Sequence, residues 1–356
     1  MKLPIFPTQE IGSFRKPEYL FEAWRRYLDG EAKYSDILPT IEKASIETIK
    51  LLEDIGLDIV WDGEMHRWEM YHYPVEYIDG IEFVGQVRVF DNRYFPKGRV
   101  VKKPVLIKNY HIEEYQFVKS HASKPVKIPI TGPYTLADWT YNEYYMSRWR
   151  YKVSNPIKAR YNAKREFTLD LAKNILNPIL KELSKRRVFR IQIDEPAATT
   201  HPSEMPIFVE AFNKAVEGVK ATVTTHICYS DYRILLRYVH DIKTKQYALE
   251  FANRDTRNRG LDDDIRRGYT ILKEFKEYGF DRELGLGVID VHTDFIEPVE
   301  LILDRIKYAL KYIEPDKLFI NPDCGLRTRS RGIAAKKLRN MVEAVKIIRK
   351  EYGYSK

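Results

Sequence analysis

The stretch VFRIQIDE, residues 188–195, sets apolar Val188, Ile191 and Ile193 ahead of the acidic pair Asp194 and Glu195. It is short and β-branched, as a buried strand is, and a run with helical spacing follows it at 204–219. The next stretch, ATVTTHIC (221–228), repeats the form and ends in His226 and Cys228. Strand, helix, strand is the repeating unit of a parallel sheet. Residues two apart on a strand share a face. Ile191 and Ile193 therefore point one way and Asp194 the other, and His226 and Cys228 point together.

The same alternation runs outward in both directions. Strand-like runs stand at TQEIGS (8–13), LDIVWDGE (57–64) and VKIPITG (126–132) before it. QYALEFAN (246–253), LGLGVIDVH (284–292) and KLFINPDC (317–324) come after it. Helical periodicity fills 37–55, 157–186, 204–219, 262–279, 297–313 and 333–351. Eight strands with helices between them predict an α/β protein, a (β/α)8 TIM barrel. Residues 81–107 read as a β-hairpin inserted after the second strand, with DNRYFPKG (91–98) near its turn. No low-complexity tract, tandem repeat or Gly/Ser linker divides the chain, so 1–356 reads as one catalytic barrel domain.

Composition narrows the function. A 44% hydrophobic fraction with 13% aromatics is that of a globular protein. No apolar run is long enough for a membrane span, and MKLPIFPTQEIGSF lacks a secretory core. Two cysteines make no disulfide framework, so the expected home is the reducing cytoplasm. The net charge of +9 invites a nucleic-acid reading, but the basic residues are dispersed and no basic-aromatic motif supports it. Abundant Glu, Lys, Arg, Ile and Tyr fit a thermophile.

A barrel builds its active site at the C-terminal ends of its strands. Here those ends carry Ser13, Glu64, Gly132, Asp194, His226 with Cys228, Glu250, Asp290 with His292, and Cys324. Thiolate plus imidazole favours zinc over magnesium or calcium, and zinc takes about four ligands in tetrahedral array. His226, Cys228, Glu250 and Cys324 make such a set, with Glu250 on the same face as small Ala248. A lone His-x-Cys is a weak signal, since a buried cysteine is more often a small hydrophobe. Placement of Cys324 and Glu250 at other strand ends strengthens it. A structural zinc site would favour tight Cys-x-x-Cys turns, and this chain has none.

IGSF (11–14), DGE (62–64), TGPYT (131–135), IQIDEPA (191–197), THICYS (225–230), DVH (290–292) and NPDCGL (321–326) stand in this order. Together they resemble the catalytic C-terminal domain of cobalamin-independent methionine synthase, in a single-barrel form like the archaeal ones. The resemblance implies a barrel of the methionine synthase/uroporphyrinogen decarboxylase type. It implies a Zn2+ cofactor on His226, Cys228, Glu250 and Cys324. It implies methyl transfer to the thiol of homocysteine, forming methionine. Asp194 and Glu64 would bind the substrate ammonium, Ser13 its carboxylate, and His292 would act as acid/base with Asp290 orienting or charging it. A strand-end carboxylate or serine can also be a cap or a satisfied barrel group.

The methyl donor is less defined. The two-barrel members of the family use their N-terminal half to help hold a folate. This chain reads as one barrel, and FDNRYFPKGRVVKKPVLI (90–107) matches the folate contacts poorly. Trp139 stands near the place of the folate-stacking tryptophan. Methylcobalamin on a corrinoid protein, or a methylated pterin, are the donors this leaves, with a partner protein replacing the absent barrel. RTRSRG (327–332) could meet an acidic partner surface or be a solvated loop. The rival activities are alkyl transfer to another thiol of the coenzyme M type and a non-catalytic accessory subunit. The acidic pair disfavours the first, whose thiol carries a sulfonate. The reactive set His226, Cys228, Cys324 and His292 disfavours the second.

Overall fold

The structure, a computed structural model, describes residues 3–88 and 94–354. The first three residues of the expected hairpin turn, 91–93, lie outside the described residues. The chain divides into two compact units, each drawn from separated stretches of sequence. One comprises Met1–His66, Gln116–Ile128 and Lys245–Lys356; the other comprises Arg67–Tyr115 and Pro129–Thr244.

In the first unit, parallel strands Gln246–Leu249, Glu283–Ile289 and Leu318–Pro322 lie side by side, Ala248 opposite Gly285 and Leu286 opposite Ile320. Single parallel bridges extend the row: Thr8 to Ile320, Gln9 to Ile59, and Val60 to Val126. The first two expected strands are thus much shorter than 8–13 and 57–64. Their backbones show why. Phe6 turns at φ 51, and Gly63 and Glu64 turn at φ 76 and 61, so the chain is extended only briefly between such turns. At Gly63 the turn has a second demand, since a Cβ there would lie 2.6 Å from the Phe14 Cβ.

Helices Tyr34–Ile55, Val299–Ala309 and Arg331–Glu351 follow the expected spacing. Ser330 caps the last of these, accepting the Ile333 N–H at 3.3 Å. The expected 262–279 helix is broken. Only Arg267–Tyr269, a single 3-10 turn, and Leu272–Glu277 are helical. Gly268 packs on backbone, where a Cβ would come 2.3 Å from the Phe251 carbonyl oxygen. Fully buried Arg266 turns back to the carbonyls of Thr256 and Asn258. These contacts hold the segment to the 251–258 turn and override its helical pattern.

In the second unit, strands Arg190–Asp194 and Thr222–Ile227 pair in parallel with Asp194 opposite His226. The 157–186 rod is continuous but contains a π-helical stretch, Leu171–Leu176, just before Pro178. Proline lacks the N–H that an α-turn needs and crowds the carbonyl four residues earlier, that of Asn174, which accounts for the wider turn there. Ile78–Arg88 and Tyr94–Leu106 form an antiparallel hairpin pairing Ile78 with Leu106 and Arg88 with Tyr94. Buried Tyr71 anchors it: its hydroxyl accepts the Gly98 N–H at 3.1 Å and meets Thr140 Oγ1 at 2.7 Å. No described helix is long and apolar enough to cross a membrane.

Candidate metal centre

The Thr222–Ile227 strand delivers His226 and Cys228, both buried. Neutral groups hold this end of the chain. Thr225 donates to the Ile193 carbonyl at 2.9 Å, and Tyr232 donates to the Ile227 carbonyl at 3.0 Å. The Cys228 carbonyl accepts from Ser230 Oγ at 2.9 Å, and Ser230 in turn accepts from Thr199 at 2.7 Å. Tyr229, at φ 53, turns the chain out of the strand directly after Cys228. Asp194 lies in register with His226, and Gln192, on the same strand face, donates to its Oδ1 at 2.8 Å.

Glu195 is fully buried and grips the start of the Pro133–Asp138 helix. It accepts the N–H groups of Tyr134 and Thr135 at 3.1 and 2.7 Å and the Thr135 hydroxyl at 2.6 Å. Burial pushes its carboxyl up to about 7, with neighbouring Asp194 adding to the rise and the three donors opposing it. Gly132 leaves it room, since a Cβ there would lie 2.1 Å from the Glu195 carboxyl carbon. Trp139 ends that helix, half-buried, with the rings of Phe95 and Tyr71 at 5.9 and 6.3 Å.

In the first unit, Glu250 follows the Gln246–Leu249 strand and is buried, its Oε1 accepting from Arg254 at 3.1 Å. Cys324 follows the Leu318–Pro322 strand and is half-buried. Its neighbour Asp323 is fully buried. It accepts the N–H groups of Phe251 and Ala252 on Oδ1, at 2.9 and 3.0 Å, and that of Asn253 on Oδ2 at 2.7 Å. Burial, with the Glu250 charge nearby, pushes the Asp323 carboxyl well above the carboxylate range, and the three N–H donors pull it back.

Ser13 is closely approached by Gly325, where a Cβ would lie 2.1 Å from Ser13 Oγ. Glu64, buried, receives its backbone support from Asp62, whose Oδ1 accepts the Glu64 N–H at 2.9 Å. Asp62 also accepts from Ser45 and meets His66 Nδ1 at 2.8 Å. Asp290 acts on the backbone of His292, accepting its N–H on Oδ1 at 2.8 Å. A buried ion pair fixes that turn. Glu297 accepts the Asp290 N–H at 2.9 Å, and Lys337 donates to Glu297 and to the Asp290 carbonyl, both at 2.9 Å.

Of the four expected metal ligands, His226 and Cys228 stand two residues apart at the end of one strand of the second unit, and Glu250 and Cys324 close two strands of the first. The donor set is one imidazole and two thiolates, which suits a soft or borderline cation such as zinc. Sequence reasoning passed over Glu195, Asp323, Lys337 and Glu297. Each sits beside a residue it singled out, or reaches one through backbone, and spacing carries no signal for such bonds.

The comparisons with known proteins show the family. Residues 6–347 match the family model described as the catalytic domain of cobalamin-independent synthase. A methionine synthase of Thermoplasma volcanium is 46% identical, with 95% of this chain and 96% of the relative covered. One of Pyrococcus horikoshii is 42% identical over 99% of this chain and 95% of the relative. Among solved structures, a B12-independent methionine synthase from Shewanella in complex with selenomethionine superposes with a TM-score of 0.79. It is 23% identical and covers 98% of this chain and 99% of its own, a likeness that shows the fold to be a (β/α)8 barrel of the methionine synthase type. The chain belongs to the family of cobalamin-independent synthase catalytic domains.

Proposed function

We propose that this protein is a methyltransferase that methylates the thiol of homocysteine to give methionine, with zinc held by His226, Cys228, Cys324 and Glu250. The observation that carries the reading is the match of residues 6–347 to this family, in a chain whose strand ends bear one imidazole and two thiols of the type zinc takes. When bound, the metal supplies the Lewis acidity that keeps a thiol deprotonated at neutral pH. Two protein thiolates would leave the metal electron-rich, so that a deprotonated thiol held there would keep its nucleophilicity.

The chain's own residues do the rest. Asp194 and Glu64 bind the substrate ammonium through their carboxylates. Ser13 binds the substrate carboxylate through its hydroxyl and the backbone around it. His292 carries the proton that the thiol gives up, with Asp290 and the Lys337–Glu297 pair fixing the turn that presents it. Trp139 offers a ring face to the donor. In the transfer the new sulfur–carbon bond forms as the bond between methyl and donor breaks, and the donor keeps that electron pair.

The donor is a methylated pterin or a methylcorrinoid, delivered free or on a partner protein. The test is methionine formation from homocysteine by zinc-loaded protein, with methylcobalamin and a methyltetrahydropterin in parallel. Methionine from either supports the reading and names the donor class. Methylation of coenzyme M with none of homocysteine contradicts it.

A further inference from the structure

We propose that Asp323 is a positioning residue for the metal centre, holding the backbone of 251–253 so that Glu250 is fixed at the end of its strand. The inference rests on the reading above that Glu250 and Cys324 are metal ligands.

Asp323 is fully buried, and all three of its N–H donors belong to the residues directly after Glu250. They open the 3-10 turn Ala252–Arg254, which carries the Arg254 guanidinium to Glu250 Oε1. Asp323 is also the covalent neighbour of Cys324, and its own N–H donates to the Ile289 carbonyl at 2.9 Å. One side chain thus ties the turn after one ligand to the strand end that bears another. A glycine makes space for it: a Cβ at Gly287 would lie 2.1 Å from Asp323 Oδ1 and 2.7 Å from the Leu249 carbonyl oxygen.

A carboxylate out of water is costly unless its oxygens are satisfied. Three backbone N–H groups satisfy this one, at the cost of committing it to a single geometry. Groups that orient metal ligands in this way typically contribute ten- to a hundred-fold in metal affinity.

The test is a competition titration of Zn2+ against a chromophoric chelator, in wild type, Asp323→Asn, Glu250→Ala and the double variant. Asparagine keeps the shape but turns an amide NH2 toward at least one of the three N–H donors. Asp323→Asn is expected to weaken Zn2+ by about ten- to a hundred-fold in the wild-type background. In the Glu250→Ala background it should cost less than about two-fold, because its route of action is gone. An equal loss in both backgrounds, or none in the wild-type background, overturns the proposal. Should Asp323→Asn not fold, Asp323→Ser enters the same cycle with the same expectation. Cys324→Ser in the same assay tests the underlying reading. Wild-type affinity there removes the metal centre itself, whereas loss there with Asp323→Asn unaltered removes only the positioning role.

Discussion

The turn after Thr222–Ile227 and the turn after Gln246–Leu249 both bear expected metal ligands, and they are held by opposite means. At the first, neutral hydroxyls of Thr225, Ser230 and Tyr232 satisfy backbone carbonyls. At the second, one buried carboxylate, Asp323, collects three backbone N–H groups. A hydroxyl is cheap to bury, and each bond contributes about 1 kcal/mol. A buried carboxylate costs several kcal/mol to desolvate, so its bonds must all be present. The first turn should therefore tolerate the loss of one contact, and the second should not.

The sharpest way to break that contrast is Gly287→Ala. The added methyl meets both the Asp323 carboxylate and the Leu249 carbonyl, and backbone cannot swing aside. We expect a loss of about 3 kcal/mol in denaturant unfolding. Gly325→Ala makes the control, because the atom it meets most closely is the Ser13 hydroxyl, the tip of a side chain that can rotate. A Gly287→Ala protein as stable as wild type would mean that the carboxylate has slack.

Acid sharpens the contrast within the unit that bears His226. Burial lowers His72 to about 4 from the ordinary 6.5, so between those values the unfolded chain binds more protons than the folded one. Stability therefore rises with pH through that window and is lost as pH falls from about 6.5 toward 4. His72 contributes about 3 kcal/mol of that fall, and His111, lowered to about 4 in the same way, adds to it. Unfolding measured at pH 7 and pH 4.5 should differ less in His72→Gln than in wild type. An unchanged difference would assign the acid sensitivity elsewhere. The smallest effect is expected from Ser230→Ala: about 1 kcal/mol of stability, with Zn2+ affinity within about three-fold of wild type. A larger drop in affinity would show that the hydroxyl-held turn is as brittle as the other.

How much of this was legible in the sequence differs between these turns. THICYS and NPDCG point to their expected ligands because strand alternation fixes which side chains share a face and which lie at a strand end. The strand positions were legible for the same reason. Their lengths at 8–13 and 57–64 were not, because the limits come from φ at Phe6, Gly63 and Glu64, two of them non-glycine residues with no local signal. The helical pattern at 262–279 misled, because Gly268 and Arg266 answer to the 251–258 turn rather than to their own neighbours. Asp323 was hidden in plain view beside Cys324, since its partners are backbone groups some seventy residues away in sequence. The Lys337–Glu297 pair behind the Asp290 turn was hidden likewise.

The most direct test of the account is metal content. Purified wild-type, Cys228→Ser and Cys324→Ser proteins, each dialysed against Zn2+ and then metal-free buffer, would be assayed by elemental mass spectrometry. The account predicts one zinc per chain in wild type and almost none in either variant. Equal zinc in all three would contradict it, because the two thiolates would then hold no metal.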